Sequence, residues 1–197
     1  MAEKRVLQIR VALVGILPPI WRRIQIPAHS TFWDLHVAIQ DAMGWLGYHL
    51  HDFHIPDHRL GGLVRIGIPD EEFDTGLETL PGWDVGVQDY MLGAFPAAVY
   101  IYDFGDGWIH VVQFEGVLPA AKGRSYPICV DGERKCPPED CGGIGGYALL
   151  LRALANSNHP EHESFLEWVG GQFDAEDFNP KDVEFGDPRE RLRLALE

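Results

Sequence analysis

Positive charge is scarce in this chain: 16 Lys and Arg stand against 30 Asp and Glu in 197 residues, a formal charge of −14. A field of that sign repels phosphate backbones, so general nucleic-acid binding is not expected unless cations gather locally. The deficit is uneven, with six basic and five acidic residues in positions 1–60 and ten against twenty-five beyond. Arg10, Arg22 and Arg23, on neighbouring predicted strands, are the candidate basic patch, and a solvated sheet face is the plainer reading of them. Long apolar runs are missing as well. None approaches the ~18 residues that a membrane span requires, and the N-terminus enters a strand pattern directly, without an apolar leader. Cysteine is limited to three residues, an odd count that suits a reducing compartment better than a disulfide framework. A cytoplasmic protein with no membrane attachment is the expectation. The four serines, Ser30, Ser125, Ser157 and Ser164, lie outside any Gly-x-Ser-x-Gly elbow, which argues against serine hydrolase chemistry.

What is present suffices for a core: 46% of residues are hydrophobic and 11% aromatic, in a length that fits one domain over 1–197. Leu7, Ile9, Val11 and Leu13 alternate with Val6, Gln8, Arg10 and Ala12, and Ile20, Arg22, Ile24 and Ile26 alternate with Trp21, Arg23 and Gln25. That period predicts strands near 5–14 and 20–26. Thr31 with Asp34 three residues on resembles a capping box, and Phe32, Leu35, His36, Ile39 and Met43 fall at helical spacing, predicting a helix over 31–44 that stops at Gly44. A third strand is expected at 48–55. Residues 56–96 read as an excursion with a short Val64-Arg-Ile-Gly-Ile68 pattern and a helical piece near Val87 to Leu92.

Tyr100-Ile-Tyr-Asp-Phe-Gly-Asp-Gly-Trp-Ile-His110 predicts a β-hairpin from strands near 99–104 and 108–117. Val99, Ile101 and Asp103 share one face, Trp108, His110, Val112 and Phe114 share another, and Gly105 and Gly107 supply the positive φ of the turn. Helices follow at 147–156 and 160–169, from the Tyr147, Leu150, Leu151, Leu154 stripe and from Phe165, Leu166 and Val169. A weakly amphipathic terminal helix is expected at 188–196. The fold class is therefore α+β, a mainly antiparallel sheet with helices packed on one face.

Two constellations carry possible chemistry. Cys129, Cys136 and Cys141 lie within thirteen residues in a Pro- and Gly-constrained segment, with His159 and His162 one helix later. Three thiolates and an imidazole make a tetrahedral zinc shell, though the spacing is not that of a finger or knuckle, and small packing residues under a loop are the plainer reading. The second group is His49, His51, Asp103, Asp106, His110 and Glu115. His49 and His51 are two apart on a predicted strand, so they project from one face and, with Asp103 or Asp106, could form a two-histidine, one-carboxylate metal site. The competing reading makes Asp106 a turn cap and His110 a hydrogen-bonded core histidine. Pro137-Pro-Glu-Asp-Cys-Gly-Gly143 lacks the Lys of a P-loop, and Glu139 and Asp140 would repel phosphate. It reads as an ordered turn whose glycines let the next helix pack closely.

Taken together, the hairpin stretch, His49-Leu-His-Asp-Phe53, Cys136-Pro-Pro-Glu-Asp-Cys-Gly-Gly143 and Phe173-Asp-Ala-Glu-Asp-Phe178 resemble the plasmid pRiA4b third-open-reading-frame family, in family order from about Val6 to about Phe178. The resemblance implies a protein whose activity is not established and that travels with plasmids or insertion elements. It implies that the three cysteines and the His-Pro-Glu-His stretch recur among members. The 173–178 piece departs from the family's proline after the first aspartate. Members are sometimes labelled as resolvase-type passengers, but a serine recombinase needs an activated serine among arginines and a basic DNA-binding module, and neither is present. The functional expectation is a cytoplasmic binding or accessory module for a protein or small-molecule partner. Zinc stabilisation is one alternative, and a metal-dependent enzyme at the His/Asp cluster is another. Neither a substrate nor an oligomeric state follows from the sequence.

Overall fold

The computed structural model describes residues 4–56, 61–69, 78–91 and 97–197. Its strands are β1 (Arg5–Leu13), β2 (Trp21–Pro27), β3 (His51–Pro56), β4 (Leu63–Gly67), β5 (Thr79–Pro81), β6 (Ala97–Tyr102), β7 (Trp108–Pro119) and β8 (Ile128–Glu133). The helices are α1 (Phe32–Met43), α2 (Val87–Met91), α3 (Gly143–Leu154), α4 (His162–Trp168) and α5 (Pro188–Ala195). The strands form one sheet in the order β5-β4-β3-β6-β7-β1-β2-β8, antiparallel except for the β4–β5 pair. This is the expected α+β class. Parts of the expected excursion, residues 57–60, 70–77 and 92–96, the last including Leu92 of the expected helical piece, lie outside the described residues.

Alternation decides which face is covered. Leu7, Ile9, Val11, Ile20, Ile24, Ile26, Phe53, Tyr100, Tyr102, Trp108, His110 and Val112 are buried on the inner face, together with Phe32, Leu35 and Ile39 of α1 and Tyr147 and Leu150 of α3. α1 is closed at its start by the capping box, Asp34 N–H donating to Thr31 Oγ1 at 3.2 Å and Thr31 N–H to Asp34 Oδ2 at 2.9 Å. α5 is held against α1 by Trp33 Nε1, which donates to Pro188 O at 2.7 Å, and by an Arg191–Asp41 ion pair.

Several expectations change. β3 begins at His51, so His49 precedes the strand rather than sharing its face with His51. The hairpin pairs Tyr102 with Trp108 as expected, and Val99 and Ile101 share the face opposite the buried Tyr100 and Tyr102. Its turn takes positive φ at Asp103 (55°) and Gly107 (68°), not at Gly105; aspartate tolerates this conformation because its carboxylate bonds its own turn. The Val64–Ile68 pattern corresponds to β4, while the edge strands β5 and β8 have no counterpart in the sequence-based expectation. β8 carries an extra residue opposite Arg23/Ile24, and such irregular pairing blurs a period of two. α3 starts at Gly143, four residues before its predicted start, and so includes Gly145 and Gly146. A Cβ at Gly146 would sit 1.7 Å from Cys141 O, so contact with the preceding loop outweighs the poor helix propensity of the glycines.

The three arginines do not form a patch. Arg10 and Arg23 lie over the Trp21 ring on the open face, where Arg23 pairs with Glu115 at 2.7 Å and Asp131 at 2.8 Å. Arg22 is on the opposite face and 2% exposed. Its guanidinium donates to Ala42 O (2.7 Å) at the end of α1, to Trp21 O (2.8 Å) and to Glu133 O (2.9 Å) at the end of β8, and lies 3.5 Å over the Phe178 ring. Arg22→Ala leaves those buried carbonyls without donors, so the expected loss in a urea unfolding experiment is about 3 kcal/mol or more. Arg23→Ala, which removes two partly exposed ion pairs, should cost about 1 kcal/mol or less. Equal losses would contradict the structural role assigned to Arg22.

Candidate metal centre

The segment that leaves α1 is laced to the loop that leaves β8. Trp45 Nε1 donates to Pro137 O at 2.8 Å, Leu46 N–H to Glu139 Oε1 at 2.8 Å, and Tyr48 OH to Asp140 Oδ2 at 3.1 Å. Tyr102, at the end of β6, donates to Glu139 Oε1 at 2.9 Å. These bonds bring His49 among three carboxylates. Its Nε2 is 3.0 Å from Asp140 Oδ1, 3.7 Å from Asp103 Oδ2 and 3.9 Å from Glu139 Oε2.

Each carboxylate is held from behind. Asp103 Oδ1 accepts from Gly105 N–H at 2.9 Å, leaving Oδ2 toward the imidazole. Asp103 and Asp140 both adopt φ of 55°, a sparsely populated region for residues with a side chain. Burial first, then the charge of Glu139 and its hydrogen bond, push the Tyr102 phenol well above its ordinary pKa, so it stays a donor at any neutral pH. Among the described residues, His49, Asp103 and Asp140 are the group of three or more potential ligands whose donor atoms all lie within 4.8 Å of one another. One imidazole and two carboxylates, with Glu139 beside them, form a set suited to Mn²⁺, Fe²⁺ or Zn²⁺ with water in the remaining positions. A cavity of about 500 Å³ adjoins the cluster, lined by Tyr48 and His49, by Trp33 and His36 of α1, and by Leu194 of α5.

The sequence-derived group is thus divided. His49 and Asp103 meet, while Asp106 instead accepts from Gly142 N–H at 3.1 Å and ties the hairpin to the start of α3. Glu115 lies on the open face with Arg23 and Gln8, and the Arg23 hydrogen bond lowers its pKa. His51 and His110 are buried inside the sheet. Nor do the three thiols form a shared donor group with one another or with His159 and His162. Cys129 donates weakly to Asp131 O at 3.4 Å and Cys141 to Gly143 O at 3.9 Å. His162 Nδ1 is bonded to Ala153 O at 2.8 Å and His159 Nδ1 accepts from Glu161 N–H at 3.2 Å. Burial pushes all three thiol pKa values up, that of Cys141 to about 12. Sequence reasoning did not assign Asp140, Glu139, Tyr48 and Tyr102 to the site. The available signal was the Pro-Pro-Glu-Asp stretch, whose conformation is restricted by its prolines, but Asp140 is 91 residues from His49.

Below the cavity, His36 and His51 stack with ring centroids 3.5 Å apart and planes 5° from parallel. Gln40 Nε2 donates to the Tyr100 oxygen at 2.8 Å, which leaves the Tyr100 proton for Nδ1 of a neutral His36, also at 2.8 Å. Burial holds the pKa of His36 well below 6.5, that of His51 at about 3 and that of His110 at about 4. The unfolded chain therefore takes up protons below pH 6.5 that the folded chain refuses. Stability from these groups is complete above about pH 6.5 and is lost as pH falls toward 4, by up to about 1.4 kcal/mol per pH unit for each histidine. His110→Leu should flatten the slope of unfolding free energy against pH between 6 and 5 by about one proton. An unchanged slope would show that His110 titrates normally in the folded state.

Comparison with known proteins matches this architecture over nearly its whole length. Residues 5–182 fit the model of the plasmid pRiA4b ORF-3-like proteins. The uncharacterized protein y4hQ of Sinorhizobium fredii is 36% identical over 167 residues, spanning 84% of this chain and 81% of that protein. A crystal structure of a protein of unknown function, MM3350 from Methanosarcina mazei Go1, superposes with a TM-score of 0.84 at 40% identity, over 93% of this chain and all of the other. With both the family model and a relative covering most of the length, the chain belongs to the plasmid pRiA4b ORF-3-like family.

Proposed function

We propose that this protein is a small-molecule-binding module that carries a divalent cation on His49, Asp103 and Asp140, with Glu139 as an additional oxygen donor. The observation that carries this reading is the convergence of those three donor atoms within 4.8 Å, with His49 also lining a cavity. Three carboxylates clustered around one imidazole repel one another, and a cation relieves that repulsion. The anchoring of each side chain by a tyrosine or a backbone amide keeps the donors in place without an ion. A ligand entering the cavity would meet the cation on one side and the Trp33, Tyr48 and Leu194 surfaces on the other. Service as a cytoplasmic accessory protein of plasmids or mobile elements is part of the same proposal, supported by the family's name.

A metal-dependent enzyme is the second reading, favoured by the cavity beside His49. A bound cation would polarise an oxygen of the ligand there, with Tyr48 at the rim. Both readings place the metal at the His/Asp cluster rather than at the cysteines. In calorimetric titration of chelator-stripped protein with Mn²⁺ and with Zn²⁺, one equivalent should bind. Asp103→Asn and Asp140→Asn keep the backbone conformation accessible and should each weaken binding roughly tenfold or more, a loss of about 1.4 kcal/mol. Cys136→Ser should leave the affinity unchanged. Failure of the wild type to bind either ion, or undiminished binding by both aspartate variants, would overturn the proposal.

A further inference from the structure

A second cleft, of about 1020 Å³, opens at the far end of the sheet between the start of β1, the turn after β2 and the loop joining β7 to β8. Its walls are tied to β1. Lys4 O accepts from Ala120 N–H at 2.8 Å and Arg5 O from Ala28 N–H at 3.0 Å, so Lys4 and Arg5, at the entry to β1, lie between both loops. The β7–β8 loop is closed on itself by Arg124 N–H, which donates to Ala121 O at 3.2 Å, and by Ala121 N–H, which donates to Tyr126 OH at 3.0 Å. This turn brings Lys122 and Arg124 to the same cleft as Lys4, Arg5 and His29.

The charge of this lining is opposite to that of the molecule. No aspartate or glutamate is among the described residues that line it, although acidic residues outnumber basic ones 30 to 16 in the chain. Arg23, Arg65, Arg134, Arg191 and Arg193 each pair with a carboxylate. Lys4, Arg5, Lys122 and Arg124 make no salt bridge among the described residues. Four of the 16 cations thus line one cleft, without a carboxylate partner among the described residues. Such a lining attracts a multiply charged anion, and the interaction is strengthened by the concave walls. The floor is apolar, formed by Val6, Pro27, Ala28 and Ala120 with the ring of Tyr126 at the side. The volume lies at the upper end of the roughly 300–1,000 Å³ typical of small-molecule sites.

We infer that this cleft binds a phosphorylated small molecule with an organic body, of the nucleoside polyphosphate class. Lys4, Arg5, Lys122 and Arg124 hold the phosphate chain, and Tyr126 with the apolar floor takes the ring system. The site is separate from the acidic cluster at His49 and needs no metal.

The test is calorimetric titration of the full chain with ATP, inorganic triphosphate, adenosine and an oligothymidylate, in EDTA so that no cation at His49 can recruit phosphate. The expected result is salt-sensitive binding of ATP and of triphosphate, with adenosine much weaker. The exposed-loop double variant Lys122→Glu/Arg124→Glu should bind ATP roughly tenfold or more weakly, from the loss of two charge-assisted contacts. Lys181→Glu, which changes an exposed cation outside the cleft, should bind ATP as the wild type does, with unchanged melting temperatures in both variants. Absence of ATP binding, or equal binding by the double variant, would overturn the inference. Binding of the oligothymidylate alone would also overturn it and would identify the cleft as a single-strand contact.

Discussion

One buried guanidinium joins the two arms on which the candidate site depends. Arg22 reaches through the apolar layer beneath the sheet and donates to Ala42 O, the last turn of α1, and to Glu133 O, the end of β8. Three residues after Ala42 the chain places Trp45, and beyond it Tyr48 and His49. Three residues after Glu133 it places Cys136, and beyond it Glu139 and Asp140. A cation in an apolar layer is costly unless its donors are used, and here the carbonyls at the ends of two elements take them. Phe178 covers the guanidinium face, so the 173–178 stretch closes the same junction from outside.

From that junction the site is built by short polar bonds between segments distant in sequence. Pro137 O, Glu139 and Asp140 accept from Trp45, Leu46 and Tyr48 in the same order in which the two segments run. The hairpin then supplies Tyr102 and Asp103 from a third part of the chain. The side chains that face His49 are therefore fixed by their own backbone and aromatic anchors. Beneath them the stacked His36 and His51, with Tyr100 and Gln40, form a polar layer in an otherwise hydrocarbon core, kept neutral by burial. Because that layer also lines the cavity through His36, the interior polarity and the site are continuous.

Charge is sorted across the molecule. The His49 cluster gathers three carboxylates, the open face pairs Arg23 with Glu115 and Asp131, and among the described residues the cleft at Lys4 and Lys122 is charged by cations alone. The total of −14 therefore describes neither cavity. A local field depends on which side chains the fold assembles, and at physiological ionic strength charges beyond about 8 Å contribute little.

Local order was legible in the sequence because its causes are local. The capping box at Thr31 and Asp34, the alternation of β1 and β2, the hairpin closed at Tyr102 and Trp108, and the stripe of α3 all follow from periods and turn chemistry within a few residues, and the combined motifs pointed to the family. The edge strands were harder to see, since β5 has only three residues and β8 is irregularly paired. The face assigned to His49 and His51 depended on a strand that starts three residues later than its pattern suggested. The sequence thus determined most element types, the core-facing residues and two members of the His49 cluster, His49 and Asp103. Only the tertiary structure decided that Asp140 and Glu139 join them, and that Lys4 and Arg5 share a cleft with Lys122 and Arg124 without a salt bridge among the described residues. Each of these depends on contacts between residues tens of positions apart, and such contacts leave no period in the sequence.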